Sequence, residues 1–379
     1  MPQQKRPPGK PQCIHRGETL RAEKLGCCGK VEIFHCANLG REVHETKCKT
    51  CEFFCCAEMI NKNKRAQMAA DFKGQIIVIM PVRNEGDWAV RTVRNLRASK
   101  ARGTDLHFCI IDDGSADGCC KIFKRGKPKD ITLFESKQGG NGQGVARSLG
   151  VYMFPHARAY YSIDAHETME TKHGIEQLAL DAEETGGIVM ARSLNLSKEK
   201  LNVGVGCKWG AISEGGVTRP QGLWIREPKT PTRLTPVNVL AGADYAFTRK
   251  TFDALGGFGE SYGYYGYFDL DLSINARFLN IPVHCNTQVS AGHLYRGPRP
   301  YTMSGRWRWW GFVECLRQRF RPDIWRKHFL PSAQLIQKKL QDPMIDYLIH
   351  TPRLDILQAA YEPKKKRTDE EVLAWMGIK

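Results

Sequence analysis

Apolar and polar positions change in regular blocks from residue 75 onward, as they do in a parallel sheet with crossover helices. Short, largely apolar runs predict buried strands, and the segments between them have helical spacing or open on glycines. The predicted strands are QIIVIM, LHFCIIDDGS, ITLFE and AYYSID, and the predicted helices are DWAVRTVRNLRAS, CCKIFKR and NGQGVARSLGVYMF. The pattern indicates an α/β fold with a mostly parallel sheet flanked by helices.

Three polar clusters follow these predicted elements at points where a strand ends or a helix begins. PVRNEGD completes the first strand, Asp112 and Asp113 end the second, and GGNGQGVARSLG opens a helix. Each is also an ordinary turn sequence, and a single glycine-rich loop is weak evidence. Ligands of open α/β sheets bind at the carboxyl ends of the strands. Three clusters in this order therefore predict a ligand site at that edge.

The fourth predicted strand runs out at Asp164, with His166 two residues later. In extended backbone, residues i and i+2 share a face, so both side chains can reach one object. A carboxylate oxygen and an imidazole nitrogen suit a divalent ion such as Mn²⁺. Asp and His are also common in turns, so the pair alone does not decide between a metal site and a solvated turn.

Composition and charge bound the class of protein. The chain has 379 residues, of which 41% are hydrophobic, enough for a sizeable core. A net charge of +17 favours polyanionic partners such as nucleic acid, acidic lipid or phosphorylated sugars, although a basic enzyme is an alternative. The sequence contains no apolar run of about 18–20 residues and opens on MPQQKRPPGKPQ, so we expect no membrane span and a cytoplasmic protein.

A cysteine-rich segment occupies the front of the chain. Eight of the fourteen cysteines lie between Cys13 and Cys56, too dense for buried hydrophobes alone. The C-x2-C spacing is typical of a tetrahedral thiolate site, and we predict structural zinc in preference to an iron–sulfur cluster. The ligands cannot be chosen from spacing; the candidates are Cys13, Cys28, Cys36, Cys48 and Cys51, with Cys27, Cys55, Cys56 and nearby histidines as competitors.

From about residue 74 to 300, these motifs resemble the GT-A fold nucleotide-sugar glycosyltransferases, especially the large inverting family with PVRNE-like and DDGS-like strand ends. The resemblance implies a Rossmann-like GT-A domain that binds a nucleoside-diphosphate sugar, with UDP the expected nucleotide. By the same resemblance, the donor-binding residues are Pro81, Arg83, Glu85, Asp112, Asp113, Asn141, Arg147, Asp164, Gly242 and Ala243.

The Asp-x-His pattern is similar to that of the polypeptide N-acetylgalactosaminyltransferases, which take a further metal ligand from a downstream histidine. The corresponding stretch here is AGHLYR, which contains His293. The resemblance implies that Asp164, His166 and His293 bind Mn²⁺ or Mg²⁺, which would neutralise the leaving diphosphate. Those relatives retain configuration, so the expectation of inversion stays open to this alternative.

The stretch YFDLDLSINARF resembles the family segment in which an acidic pair begins a helix beneath the acceptor. Phe268 stands where the family usually has Glu, and Asp269 and Asp271 follow. An inverting transfer needs a carboxylate base, for which Asp269 is the candidate, and Asp271 is assigned to the acceptor side. Acidic residues are also favoured at helix starts by the helix dipole alone.

The acceptor prediction rests on a segment that interleaves arginines with aromatic residues after His293. Such a mixture suits nucleic acid, but it also suits sugars or an amphipathic helix with a tryptophan-rich core. The predicted acceptor-binding residues here are Arg306, Trp307, Trp309 and Trp310. We favour a hydroxymethylated pyrimidine in DNA, flipped out of the duplex, as the acceptor. The alternatives are a saccharide, lipid-linked glycan or protein acceptor, and a nucleic-acid-binding protein whose transferase site has decayed.

The predicted organisation has three parts. Residues 1–70 form the cysteine-rich segment and a connector, 71–300 the GT-A domain, and 301–379 a basic, helical region. Within the last part, PSAQLIQKKLQDPMIDYLIH and TDEEVLAWM have amphipathic helical patterns. The sequence gives no indication of the oligomeric state.

Overall fold

The computed structural model describes residues 72–125, 128–136, 142–198, 201–214, 217–227, 232–241, 243–258, 267–296 and 305–378. The predicted zinc ligands lie outside the described residues, as do two predicted donor contacts; these are Cys13, Cys28, Cys36, Cys48 and Cys51, and Asn141 and Gly242.

The strands follow the predicted order and continue beyond it. Their bounds are β1 Ile76–Val82, β2 Leu106–Asp112, β3 Ile131–Glu135, β4 Ala159–Ser162, β5 Glu167–Met169, β6 Ile188–Asn195, β7 Leu201–Gly204, β8 Cys207–Glu214, β9 Val217–Trp224, β10 Leu234–Pro236, β11 Tyr245–Phe247 and β12 Val283–His293.

Ten of these strands form one mixed sheet within the described ranges, in the order β10-β12-β6-β11-β4-β1-β2-β3, with β5 beside β12 and β7 beside β6. The strands β3, β2, β1 and β4 are mutually parallel, as the alternating pattern predicts. Strand β11 inserts antiparallel between β4 and β6, and β12 runs parallel to β6. The carboxyl ends of β1, β2 and β4 therefore meet at one edge. Strands β8 and β9 form a separate hairpin.

The longer helices are α1 Trp88–Ser99, α2 Gln143–Met153, α3 Gly174–Thr185, α4 Arg249–Leu255, α5 Phe268–Phe278, α6 Trp307–Arg319, α7 Leu330–Leu340, α8 Pro343–His350, α9 Pro352–Tyr361 and α10 Asp369–Met376. Short helical turns occur at Cys119–Lys124, Leu196–Lys198, Pro322–Ile324, Trp325–Phe329 and Glu362–Lys364. The CCKIFKR segment thus forms a tight 3₁₀ turn. No helix within these ranges is both long and apolar enough to cross a bilayer.

The central sheet buries both faces, which explains why its strands have continuous apolar sequences. On β1, Ile76 and Val78 pack into the core beneath α1 and α3, whereas Ile77 and Ile79 pack into the core beneath α2. Helix α2 approaches β1 closely at Gly150, where a Cβ would lie 2.7 Å from Ile79 Cγ2. This contact fixes the helix that begins beside the predicted donor site.

A third core joins the C-terminal helices to the rest of the protein. Trp309 of α6 is 7% exposed and shares this core with Phe278 of α5 and Trp209 of the hairpin. Asp271 on α5 is 2% exposed, and Arg319 on α6 donates two hydrogen bonds to its carboxylate, of 2.7 and 2.9 Å. The region after residue 305 is helical, as predicted, and packs onto the α/β body. The domain boundary at residue 300 stays a prediction.

Removal of the Asp271 carboxylate is expected to destabilise the protein strongly. Truncating one partner of a buried ion pair costs about 3–5 kcal/mol, because the other charge loses its counter-charge in a poorly solvated place. We expect Asp271→Ala to lower the midpoint of thermal unfolding, measured by circular dichroism. The matched control is Asp253→Ala, which removes a more exposed pair with Arg249 and should cost less than about 1 kcal/mol. Equal losses in the two variants would contradict this expectation.

Candidate metal and donor site

Three side chains with metal-binding chemistry meet at the edge formed by β4 and β12. Asp164 and His166 lie in the loop between β4 and β5, and His293 is the last residue of β12. One ligand atom from each lies within 4.8 Å of the others. Strand β5 pairs antiparallel with β12 and places Glu167 opposite His293. The sheet therefore brings together two sequence segments that are about 130 residues apart.

In the loop that carries Asp164 and His166, successive side chains alternate between the site and the protein interior. Asp164 and His166 are half-buried, whereas Ala165 and Glu167 are 2% and 0% exposed. The buried hydroxyl of Thr92 on α1 lies 3.0 Å from the carbonyl oxygen of Ala165 and 2.8 Å from that of Glu167. This anchor holds the loop, which forms a turn at Ala165 and His166 where the sequence predicted extended backbone.

Arg147 is fully buried beneath the site and fixes Asp164. Its guanidinium donates hydrogen bonds to Asp164 Oδ1 at 2.6 Å, Ser162 Oγ at 2.6 Å and Gln143 Oε1 at 2.5 Å. Burial alone would raise the pKa of Asp164, but the contact with His293 and the charge of Arg147 outweigh it and hold that pKa well below its usual range. The structure does not support the predicted donor contact of Arg147, since a side chain with 0% exposure touches no ligand.

Glu85 also has a different contact from the predicted one. Its Oε2 lies 3.2 Å from His166 Nδ1 and accepts a hydrogen bond of 2.5 Å from Arg296. Glu85 is 6% exposed, so its carboxylate supports His166 instead of facing a nucleotide. A carboxylate on Nδ1 fixes the ring and leaves Nε2 available as a metal ligand. Sequence reasoning placed Arg296 in the basic acceptor segment and missed this contact, for which the sequence carries no local signal.

The carboxyl groups at and around the three ligands differ in pKa. Burial raises the pKa of Glu167 well above its usual value, and the neighbouring Asp164 and Asp244 carboxyls add to the effect. Burial likewise raises the pKa of Asp244. Both groups are driven towards the neutral form, so Asp164 is the anionic oxygen ligand of the cluster. Sequence reasoning missed Glu167.

The available donor set fits a divalent cation. It comprises one ionised carboxylate and two imidazoles, a mixture suited to Mn²⁺ and other first-row divalent ions. Nε2 of His293 lies 3.8 Å from Asp164 Oδ2 and 3.8 Å from Glu167 Oε1. Glu167 Oε1 is buried and accepts no hydrogen bond within the part of the chain that the structure describes. A buried polar atom without a partner is what a water or a bound ion would satisfy.

The loops after β1 and β2 interlock beside these ligands. The backbone N–H of Asn84 donates to Ser115 Oγ at 3.0 Å, and the backbone N–H of Gly86 donates to Asp117 Oδ2 at 2.9 Å. Asp112 accepts the backbone N–H of Ser115 at 2.7 Å and so closes its own turn. These contacts join residues 84–86 and 112–117, which follow the two predicted strands, into one surface, called the ledge below.

The remaining predicted donor residues lie along this ledge or across from it. Asp113 Oδ2 accepts a 3.4 Å hydrogen bond from Gly142 N–H and lies 3.9 Å from Arg83 Nη1. Pro81 in β1 and Ala243 before β11 are half-buried. Nucleotide contact of these residues stays a prediction.

Asp269 lies in the first turn of α5 and is half-buried. The ring of the preceding Phe268 stacks 5.2 Å from the guanidinium carbon of Arg147. Burial raises the pKa of Asp269 to about 7; Arg147 opposes the shift and Asp164 adds to it. A carboxyl with this pKa exchanges its proton near neutral pH, as a general base must.

Most of the predicted acceptor residues serve the fold. Asp271 is paired with Arg319, and Trp309 lies in the third core, so the structure does not bring either to the site. Trp310 is half-buried and donates from Nε1 to Asp342 at 3.2 Å. Arg306 is exposed and also contacts Asp342, at 3.3 Å, and Trp307 is half-buried. A helix with a buried aromatic stripe accounts for this part of the segment.

Comparisons with known proteins agree with the fold. Residues 77–205 match the family model described as Glycosyl transferase family 2. The structure is similar to "GalNAc-T7 with UDP, GalNAc and Mn2+", with a TM-score of 0.60 and 15% identity over 80% of this chain. It also matches S. aureus TarS 1-349 in complex with UDP-GlcNAc, with a TM-score of 0.45 and 12% identity over 79% of this chain and 78% of TarS. A search of curated protein sequences gives no significant match.

The predicted fold is confirmed. The chain has the GT-A fold of nucleotide-sugar glycosyltransferases, and the matched segment covers β2, β3, β4 and all of β1 except Ile76. The matched part spans 56% of the GalNAc-T7 chain, so the likeness covers little more than half of that protein.

The contact of Glu85 with His166 generates a prediction about metal affinity. Glu85→Gln should weaken Mn²⁺ binding by about 10–100-fold, since partners that orient a ligand histidine typically contribute this much. Electron paramagnetic resonance of free Mn²⁺ during titration measures the affinity. Glu135→Gln, which changes a more exposed carboxylate paired with Lys124, is the matched control. An unchanged affinity in Glu85→Gln would show that the contact does not orient His166 for metal.

Proposed function

We propose that the protein is a divalent-metal-dependent glycosyltransferase that moves a sugar from a nucleoside diphosphate, UDP by preference, to an acceptor hydroxyl. The observation that carries the proposal is the cluster of Asp164, His166 and His293 at the edge of a GT-A sheet. The neighbour of similar fold, GalNAc-T7, was crystallised with UDP, GalNAc and Mn²⁺, which supports the same kind of donor and ion here.

In this proposal, Asp164, His166 and His293 would hold the ion. When bound, the ion supplies Lewis-acid neutralisation of the diphosphate leaving group. The protein contributes preorganisation: Arg147 fixes one oxygen of Asp164, and Glu85 fixes the ring of His166. The ligands therefore need little rearrangement when a donor binds.

Asp269 is the proposed general base in an inverting displacement. It is the acidic residue at the start of α5 that is not consumed by a structural pair, since Asp271 binds Arg319. Removal of the proton from the acceptor hydroxyl would give an alkoxide-like nucleophile opposite the departing diphosphate. A retaining reaction is the alternative, and the configuration of the product distinguishes the two.

We further propose a hydroxymethylated pyrimidine in DNA as the acceptor. The net charge of +17 supports it, together with exposed cationic side chains on the C-terminal region; these are Arg306, Arg326, Lys327, Lys338, Lys339, Lys364 and Lys366. Phosphate neutralisation by such side chains supplies most non-specific DNA affinity. The buried Trp309 no longer contributes support. A saccharide or protein acceptor is the alternative, and structural zinc and a cytoplasmic location stay predictions from the sequence.

The test is a transfer assay with Mn²⁺ and a panel of UDP-sugars. Acceptors are DNA with and without hydroxymethylcytosine or hydroxymethyluracil, and a panel of saccharides, followed by digestion and mass spectrometry. We expect a hexose-sized mass gain on a hydroxymethylated nucleoside, abolished in Asp164→Ala and kept in Asp253→Ala. A mass gain on saccharides alone would overturn the proposal that DNA is the acceptor. Gain without added metal, or in Asp164→Ala, would overturn the metal role.

The pKa of Asp269 predicts how the rate depends on pH. The carboxyl accepts a proton only when ionised, so kcat/KM should rise as pH increases through about 7 and then level off. Asp269→Asn should lower kcat about 10²–10⁴-fold, remove this rising limb and leave UDP affinity unchanged. A pH profile that keeps the limb in Asp269→Asn would assign it to another group.

A further inference from the structure

Two adjacent cysteines lie beside the candidate site and have no part in it as described so far. Cys119 opens the 3₁₀ turn that follows β2 and is half-buried, whereas Cys120 is 1% exposed. Their sulfur atoms are 3.9 Å apart. The pair therefore has one thiol within reach of solvent and a second thiol behind it.

Cys119 contacts the ledge that supports the candidate metal site. Its Sγ donates a 3.5 Å hydrogen bond to Ser115 Oγ, the oxygen that accepts the backbone N–H of Asn84 at 3.0 Å. Its own N–H donates to Asp117 Oδ1 at 3.0 Å, and Asp117 Oδ2 accepts the Gly86 N–H. Cys119 thus contacts the two side chains, Ser115 and Asp117, that hold the backbone on either side of Glu85, the residue whose carboxylate contacts His166.

The two thiols differ in their chemistry. The hydrogen bond from Cys120 lowers the pKa of Cys119, with burial opposing the shift. The same hydrogen bond is the largest cause of the raised pKa of Cys120. Cys119 is therefore the more acidic and the more accessible thiol of the pair, and Cys120 is the thiol behind it, an arrangement typical of reactive dithiols.

We propose that Cys119 and Cys120 form a thiol-oxidation site, at which a hydroperoxide converts the pair to a vicinal disulfide and thereby loosens Glu85 from His166. The Cys119 thiol releases its proton and the sulfur attacks one oxygen of hydrogen peroxide. The O–O bond breaks, a sulfenic acid forms on Cys119, and the departing hydroxide takes up the released proton and leaves as water. The Cys120 thiol then attacks that sulfur, the S–O bond breaks, and a second water leaves with the disulfide. Two thiols lose two electrons in total, and the peroxide gains them.

Disulfide formation requires movement at the ledge. A disulfide needs its sulfur atoms about 2.05 Å apart, so they must approach by about 1.9 Å from their present separation. This motion draws Cys119 Sγ away from Ser115 Oγ, and a disulfide sulfur has no proton left to donate to that oxygen. The Cα atoms of adjacent residues are about 3.8 Å apart, below the usual disulfide range, so the bond is strained and easily reduced. The modification is therefore reversible.

Other cysteines of the α/β body are poor competitors for the oxidant. Cys109, Cys285 and Cys315 have 0% exposure, and Cys207 has 6%. Cysteines of the front segment lie outside the described residues and are present in every variant, so differences between variants isolate the pair.

The test compares wild-type, Cys119→Ser and Cys120→Ser full-length proteins before and after hydrogen peroxide. Trypsin releases residues 103–121, whose mass should fall by two hydrogens in oxidised wild type only. In parallel, the Mn²⁺ affinity of wild type should fall about tenfold or more and recover with dithiothreitol, whereas both serine variants should keep their affinity after peroxide.

The inference rests on the proposed metal site, but its two readouts separate the failures. If the peptide does not lose two hydrogens, the oxidation site is overturned, whether or not the protein transfers sugar. If the disulfide forms and the Mn²⁺ affinity does not change, the link between the disulfide and Glu85 is overturned. An equal loss of affinity in Cys120→Ser after peroxide would overturn that link as well. Reduced wild type that binds no Mn²⁺ would instead overturn the proposed function, and with it the link.

Discussion

The ion pair between the buried guanidinium of Arg147 and Asp164 is the constraint on which the rest of the site depends. A guanidinium with no exposure must be fully paired, because an uncompensated buried charge costs several kcal/mol. Its partners come from the start of α2, the end of β4 and the loop beyond it. The helix, the strand and the candidate metal ligand are therefore locked to one another. The same contact keeps Asp164 ionised with one oxygen held by Arg147.

The sheet order decides which groups join Asp164 at this edge. Strands β1 and β4 are adjacent and parallel, so the loop that carries Glu85 lies beside the loop that carries His166. Strand β12 reaches the same place from the other half of the sheet through its pairing with β5, and delivers His293. Burial raises the pKa of the Glu167 and Asp244 carboxyls, which limits the negative charge near Asp164. One ionised oxygen and two imidazoles are the result.

Much of this arrangement could be predicted from the sequence, for identifiable reasons. Apolar runs marked the strands because the sheet is buried on both faces. The two-residue spacing of Asp164 and His166 correctly indicated a shared site, although a turn and not extended backbone brings the two side chains together. The resemblance to a known family added His293. Glu85, by contrast, binds Arg296 across 211 positions, and no local pattern reports such a contact. Trp309 was assigned to acceptor binding because aromatic and basic residues at helical spacing give the same sequence pattern on a binding face as on a helix packed in a core. Only the packing of α6 against α5 separates the two.

The most direct test of the central claim is a crystal structure of the full-length protein with Mn²⁺ and UDP, with diffraction recorded at the manganese absorption edge. We expect one anomalous peak at the edge of β4 and β12, from an ion bonded to an oxygen of Asp164, a ring nitrogen each of His166 and His293, and the diphosphate of UDP. A diphosphate bound at this edge without the peak, or an ion that is not bonded to these three side chains, would contradict the proposed metal site.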